Sequence, residues 1–199
     1  MSTSSTSPTP DDPPPFAPFA VTATRRIYES RWCGLRADDV VFPDGTSGVH
    51  HVVEISDAVV VVPRLADGRF VLIGQYRYPH GETHWELPAG RLNPAEDPRL
   101  GAERELREET GCVAGRLVAL PGFYPINGIS DHYAHAFVAL DCRIARSTEH
   151  EASERIVVAI FTRDEVRALL RSGRIVDAFS SLSLYMFFDV VEPTLAHHP

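Results

Sequence analysis

The residues most suggestive of chemistry in this 199-residue chain are glutamates within positions 98–110. Glu105 precedes Glu108 by three positions and Glu109 by four, so in a helix these three carboxylates share one face. A run of glutamates is usually a solvated acidic face. Here, however, the tight segment 86–90, Glu-Leu-Pro-Ala-Gly, lies just upstream, and its carbonyl groups complete an oxygen-rich pocket. Such a pocket suits Mg²⁺ or Mn²⁺ and chemistry on phosphate esters or anhydrides.

The spacing of these residues resembles a known motif. Gly90, five residues, Glu96, seven residues and then Arg-Glu-Leu-Arg-Glu-Glu-Thr-Gly-Cys at positions 104–112 resembles the Nudix box, G-x5-E-x7-R-E-U-x-E-E-x-G-U. Every fixed position is met. Cys112 stands where an aliphatic residue is usual, but cysteine packs as a small hydrophobe. The resemblance extends from about residue 57 to the C-terminus.

Nudix enzymes hydrolyse a nucleoside diphosphate linked to another moiety, and the resemblance implies that activity here. It implies that the divalent cations, Mg²⁺ or Mn²⁺, are bound by Glu105, Glu108, Glu109 and the carbonyl group of Ala89. Glu96 and Arg104 are expected to orient those carboxylates from behind. Gly90 and Gly111 would permit the loop and the end of the helix. The implied fold is an α/β/α sandwich around a mixed sheet.

The flanking segments resemble the ADP-ribose pyrophosphatase branch of that family. They are Gln-Tyr-Arg-Tyr-Pro at 75–79, Trp-Glu-Leu-Pro-Ala-Gly at 85–90, Gly-Phe-Tyr-Pro at 122–125 and Gly-Ile-Ser-Asp at 128–131. The resemblance implies substrate contacts from Tyr76, Arg77, Glu86 and Asp131. Asn127 replaces a second proline that the branch often carries in its loop. The implied reaction converts ADP-ribose to AMP and ribose 5-phosphate; GDP-mannose or another nucleotide sugar is the alternative substrate.

A general base is expected in the polar loop that precedes the last strand. The branch places glutamates there, and the loop of this chain holds Glu151 and Glu154, either of which fits the role. If neither acts, Glu105 is the leading candidate. The opposing hypothesis is a Nudix domain that senses a ligand without catalysis. Such sensors commonly lose glutamates of the box, whereas this chain keeps all of them, so an enzyme is favoured.

The elements that must position these residues follow from hydrophobic patterning. A helix is predicted over 98–110, with Asp97 as the N-cap residue and Gly111 as its end. Its apolar stripe is expected to contain Leu100, Ala102 and Leu106. Further helices are predicted over 164–171 and 176–190. Strands are predicted over 27–32, 39–42, 49–55, 58–62, 70–78, 116–120, 132–140 and 155–161. The early strands follow one another as hairpins without helical spacers, which indicates antiparallel pairing and an α+β fold.

Composition limits the remaining possibilities. The net charge of −8 argues against a nucleic-acid partner, and no apolar run is long enough to predict a transmembrane helix. All 19 basic residues are arginine, which excludes lysine chemistry. Three scattered cysteines and no signal peptide predict buried thiols in a cytoplasmic protein. We expect a Pro/Ser/Thr-rich tail over 1–24, an antiparallel β region over 25–56, the hydrolase domain over 57–192 and a short tail over 193–199. The resemblance implies a homodimer formed through strands within 27–55.

Overall fold

A computed structural model describes residues 16–145 and 156–195 and divides the chain into two compact units between Glu54 and Ile55. Within those residues, no helix has both the length and the apolar character needed to cross a membrane. Cys112 and Cys142 are buried as expected, Cys33 is half-buried, and all three are free thiols.

The first unit is an antiparallel sheet of three strands in the order β1-β2-β3. The strands are β1 (Ala20–Glu29), β2 (Gly34–Val41) and β3 (Ser47–Glu54). Three strands were predicted, but β1 begins seven residues earlier than expected, so residues 20–24 belong to a strand and not to the tail. Backbone pairing with β2 extends to Ala20, which lies opposite Val41, and Arg25 on β1 contacts Asp39 on β2 at 2.6 Å.

The second unit contains the remaining elements. Its strands are β4 (Ala58–Leu65), β5 (Phe70–Arg77), β6 (Glu82–Glu86), β7 (Ala89–Arg91), β8 (Cys112–Val113), β9 (Arg116–Ala119), β10 (Ala134–Ile144) and β11 (Ile156–Phe161). Its helices are α1 (Pro98–Thr110), α2 (Arg163–Arg171), α3 (Ala178–Met186) and α4 (Glu192–Leu195). The patterning missed β6, β7 and β8, because strands of two to five residues show little periodicity.

These strands form one mixed sheet with the order β11-β5-β4-β10-β8, in which β6 pairs with β5, β7 with β4 and β9 with β10. The pairing of β4 with β10 is parallel. This parallel pairing confirms the mixed sheet that the resemblance implies, whereas the patterning alone indicated only antiparallel hairpins. The chain leaves the sheet through α1 before β10 returns beside β4, and such a crossover permits parallel pairing.

Helices cover both faces of this sheet. Val59 and Val61 of β4 belong to one apolar cluster with Ala102 and Leu106 of α1. Val60 and Val62 belong to a second cluster, together with buried residues of α2 and α3. Alternate residues of a strand point to opposite faces, so these two clusters confirm the α/β/α sandwich.

The C-terminal helical region differs from its prediction. The side chain of Asp177 accepts a hydrogen bond from the Ser180 amide and caps α3, so the helix begins at Ala178 and not at 176. A π-helical turn, Phe187–Val191, separates α3 from α4. Residues 193–195, expected in the C-terminal tail, are helical.

Candidate active site

Helix α1 carries the glutamates of the box and has the predicted bounds. The Asp97 carboxylate accepts hydrogen bonds from the amides of Arg99 and Leu100 at 2.8 and 3.3 Å. Gly111 ends the helix with φ of 69°, in the left-handed region that favours glycine. Ala102 and Leu106 are buried, but Leu100 is 60% exposed and does not belong to the apolar stripe.

Arg104 connects the acidic residues of the site. Its guanidinium donates to both carboxylate oxygens of Glu96 at 2.9 Å and to the carbonyl oxygen of Arg91 at 3.0 Å. One of its nitrogens, Nη1, also donates to Glu105 at 2.6 Å and to Glu108 at 3.2 Å. Two glutamates of the helix face therefore lie side by side, held by one cation. The hydrogen bonds from Arg104 and from the Asn93 amide lower the pKa of Glu96 to about 2.

Segment 86–90 lies against the same helix face, as the sequence predicts. The amide of Ala89 donates to Oε2 of Glu109 at 2.8 Å, and Glu109 is buried. Gly90 lies so close to the Glu105 carboxylate that a Cβ atom at this position would overlap with it. Glycine is thus required at position 90 for the close approach of the Glu105 carboxylate to the backbone. Both Glu105 and Glu109 contact segment 86–90.

The residue types of this site suit a hard divalent cation, because Glu105, Glu108 and Glu109 belong to one helix face and segment 86–90 lies against it. Within residues 16–145 and 156–195, however, no three His, Cys, Asp or Glu side chains are grouped closely enough to hold a metal ion. Arg104 donates to both Glu105 and Glu108, so its guanidinium occupies oxygens on two of the three carboxylates. A cation must therefore compete with Arg104 for these oxygens.

A second charged cluster lies at the end of β5. Arg77 donates to both carboxylate oxygens of buried Glu86, at 2.9 and 2.5 Å. This pairing raises the pKa of Arg77, and the negative charges of Glu109 and Asp177 raise it further. Arg77 therefore lies within electrostatic range of Glu109 on α1. Its side chain is still 41% exposed, so it remains open to a ligand.

The structure brings some predicted site residues together and leaves others apart. Arg77, Glu86, Glu109 and Ala89 form one neighbourhood. Tyr76 and Asp131 are exposed, and no described contact joins either side chain to the glutamates. Glu151 and Glu154 lie outside the described residues.

Sequence reasoning missed Asp177 and Ser180. Burial raises the pKa of the Asp177 carboxyl, and the charge of Glu86 adds to that effect. The Ser180 hydroxyl accepts a buried hydrogen bond from the Leu87 amide at 2.8 Å. The available signal was the N-cap preference of aspartate, which indicates Asp177 as the cap of a helix that begins at Ala178.

Comparison with known families matches both units of the chain. Residues 55–179 match the family described as NUDIX domain. Residues 20–53 match the family described as nucleoside diphosphate sugar hydrolase N-terminal domain.

Individual relatives cover most of the chain. An ADP-ribose pyrophosphatase of Bacillus subtilis is 29% identical over 81% of this chain and 88% of its own length. One of Mycobacterium tuberculosis is 30% identical over 81% of this chain and 79% of its own length. A methanol dehydrogenase activator of Bacillus methanolicus is 32% identical over 78% of this chain and 84% of its own length. The crystal structure of an ADP compounds hydrolase has the same fold, with a TM-score of 0.80 at 20% identity over 92% of this chain and 98% of that chain.

Proposed function

We propose that this chain, which belongs to the Nudix family, hydrolyses the pyrophosphate bond of a nucleoside diphosphate sugar, with ADP-ribose as its foremost substrate. The products would be AMP and ribose 5-phosphate. The observation that carries the proposal is the complete set of box glutamates on one face of α1, seated on segment 86–90 through Ala89 and Gly90. The match of unit 1 to an N-terminal domain of nucleoside diphosphate sugar hydrolases supports the substrate class.

Hydrolases of this family generally need a divalent cation. We propose that Glu105, Glu108, Glu109 and the Ala89 carbonyl group hold Mg²⁺ or Mn²⁺. When bound, the cation neutralises charge on the pyrophosphate and lowers the pKa of an attacking water. Arg104 supports the carboxylates before the cation arrives, and Glu96 holds Arg104 in place by two hydrogen bonds.

The other roles belong to residues around this centre. Arg77, held by Glu86, has exposed surface with which to bind an anionic or hydroxyl-bearing part of the substrate. Tyr76 and Asp131 are proposed as further substrate contacts. Glu154 is the preferred general base and Glu151 the alternative; the base accepts the proton of the water as that water attacks phosphorus in line.

The deciding experiment is a product assay with the full chain. Purified protein is incubated with ADP-ribose, GDP-mannose and other nucleotide sugars, each with Mg²⁺, with Mn²⁺ or with a chelator, and the released phosphate monoesters are quantified. We expect cation-dependent release of AMP from ADP-ribose at the highest kcat/KM of the panel. Faster hydrolysis of GDP-mannose would correct the substrate. Tight binding of ADP-ribose without any product would contradict the enzyme and favour a ligand sensor.

A further inference from the structure

Every residue of segment 86–90 has its own partner in unit 2. Glu86 binds Arg77, and the Pro88 carbonyl accepts from the amide of Val61 at 3.0 Å in the central strand β4. The Ala89 amide donates to Glu109, and Gly90 lies against the Glu105 carboxylate. The partner of Leu87 comes from much farther along the chain, because its amide donates to the hydroxyl of Ser180, 93 residues away on α3.

The Ser180 contact is built to be rigid. Ser180 is completely buried, and so is the hydrogen bond to Leu87. The Ser180 amide donates to Oδ1 of Asp177 at 2.8 Å, which holds this turn of α3 in place. An amide in such surroundings loses a contact with no water to replace it if the hydroxyl is removed.

The backbone between Leu87 and Ala89 is stiff, so the placement of Leu87 constrains the placement of Ala89. Pro88 lies between them, and its ring restricts the backbone on either side. The Ala89 amide in turn positions the Glu109 carboxylate. Two hydrogen bonds and the covalent segment 87–89 thus connect a hydroxyl on α3 to a glutamate on α1, and that segment has little freedom to adjust.

We propose that Ser180 is a positioning residue for the cation site: by holding the Leu87 amide it sets the placement of Ala89 and, through it, of Glu109. The role rests on the proposed function, because it assumes that Glu109 and Ala89 hold a divalent cation. Ser180 itself touches neither cation nor substrate.

The same helix provides a matched control. Ser183 lies one turn after Ser180, is equally buried, and its hydroxyl has no hydrogen-bond partner in the described part of the chain. Ser183→Ala removes the same atom from the same helix without releasing Leu87. A graded variant is Ser180→Cys, since a thiol is a weaker acceptor than a hydroxyl.

The test is a titration of the full-length protein with Mn²⁺ in the absence of substrate, followed by electron paramagnetic resonance of the free ion. We expect Ser180→Ala to raise the Mn²⁺ dissociation constant about 10-fold, the size typical for a supporting contact behind metal ligands. Ser180→Cys is expected to fall between wild type and Ser180→Ala, and Ser183→Ala to match wild type. Thermal unfolding of each variant shows that it is folded at the assay temperature.

Unchanged Mn²⁺ affinity in Ser180→Ala, or equal weakening in Ser183→Ala, would overturn the proposal. If Ser180→Ala does not fold, the comparison of Ser180→Cys with Ser183→Ala decides, and equal affinities reject the role. Wild-type protein that binds Mn²⁺ yet hydrolyses no nucleotide sugar would contradict the proposed function and leave the Ser180 role standing. Wild-type protein that binds no Mn²⁺ would contradict both.

Discussion

Glu109 differs from the other box glutamates because it is buried and bound by the Ala89 amide, whereas Glu108 is partly exposed beside Arg104. The two therefore reach the proposed cation from different surroundings. Glu103, on the same helix, is exposed, and its nearest described cation is Arg99 at 3.8 Å. This contrast distinguishes the carboxylates proposed as cation ligands from Glu103, which is exposed to solvent.

Replacing Glu108 or Glu109 by glutamine should lower kcat at least about 100-fold at saturating Mg²⁺, because loss of a ligand weakens both cation binding and activation of the water. Steady-state kinetics on ADP-ribose measure the effect, and circular dichroism shows that the fold is retained. Glu103→Gln serves as the control and should keep wild-type kcat. Near-normal turnover of both Glu108→Gln and Glu109→Gln would disprove the cation assignment.

The general base is tested by a pair of substitutions at Glu151 and Glu154. One of Glu151→Gln and Glu154→Gln is expected to lose about 10²- to 10⁴-fold in kcat, the range for a general base, and Glu154 is preferred because it is nearer in the sequence to the start of β11. KM should change little, since the loss falls in the transition state. Full kcat in both variants across about pH 6–9 would move the role to Glu105.

At the scale of elements, α1 is joined to the loop before it by Glu96 and Arg104. Glu96 also accepts from the Asn93 amide at 2.8 Å, so one carboxylate orders the loop and fixes the arginine that supports Glu105 and Glu108. The folded-state pKa of Glu96, about 2, is below its ordinary value of 4.5. Its ionised form therefore stabilises the folded state above about pH 4.5, and that contribution is lost as the pH falls towards 2.

Glu96→Gln should consequently lower stability most near neutral pH. The urea midpoints of wild type and variant are expected to differ at about pH 6 and to converge as the pH falls below about 4.5. Equilibrium unfolding at a series of pH values provides the measurement. A difference that stays constant down to about pH 3 would show that the ionised carboxylate is not the source of the stabilisation.

At the scale of the whole molecule, strand β1 begins within the tail that was predicted over 1–24. Phe19 packs against Phe42 with ring centroids 4.9 Å apart, and β1 begins at Ala20. Residues 1–15 are rich in Pro, Ser and Thr and lie outside the described residues, and their composition predicts little contribution to the folded core. Deletion of 1–15 should leave kcat, KM and the melting temperature unchanged, whereas deletion of 1–29 removes β1 and should destabilise unit 1. Reduced activity after the shorter deletion would assign a role to the tail.

The expected homodimer is a second property of the whole molecule. All ten residues of β1 are exposed, Ile27 and Tyr28 among them, so this strand of unit 1 has apolar surface for a second copy. Light scattering should give about twice the 22.0 kDa chain mass. Ile27→Asp should shift the protein towards the monomer, and Leu100→Asp, a similarly exposed position on α1, should not. A wild-type monomer at micromolar concentration would refute the dimer.

The sequence by itself determined α1, its caps and the common face of Glu105, Glu108 and Glu109, because helix periodicity and capping act over four residues or fewer. It also placed segment 86–90 beside that face through the box. Only the tertiary structure decided the parallel pairing of β4 with β10 and the bond between Ser180 and Leu87. It also decided the competition of Arg104 for two of the carboxylates. The first two contacts join residues too far apart in the sequence to leave a periodic signal. The contacts of Arg104 depend on which of several carboxylates its flexible side chain reaches. All of them are determined only when the sheet and its helices pack together.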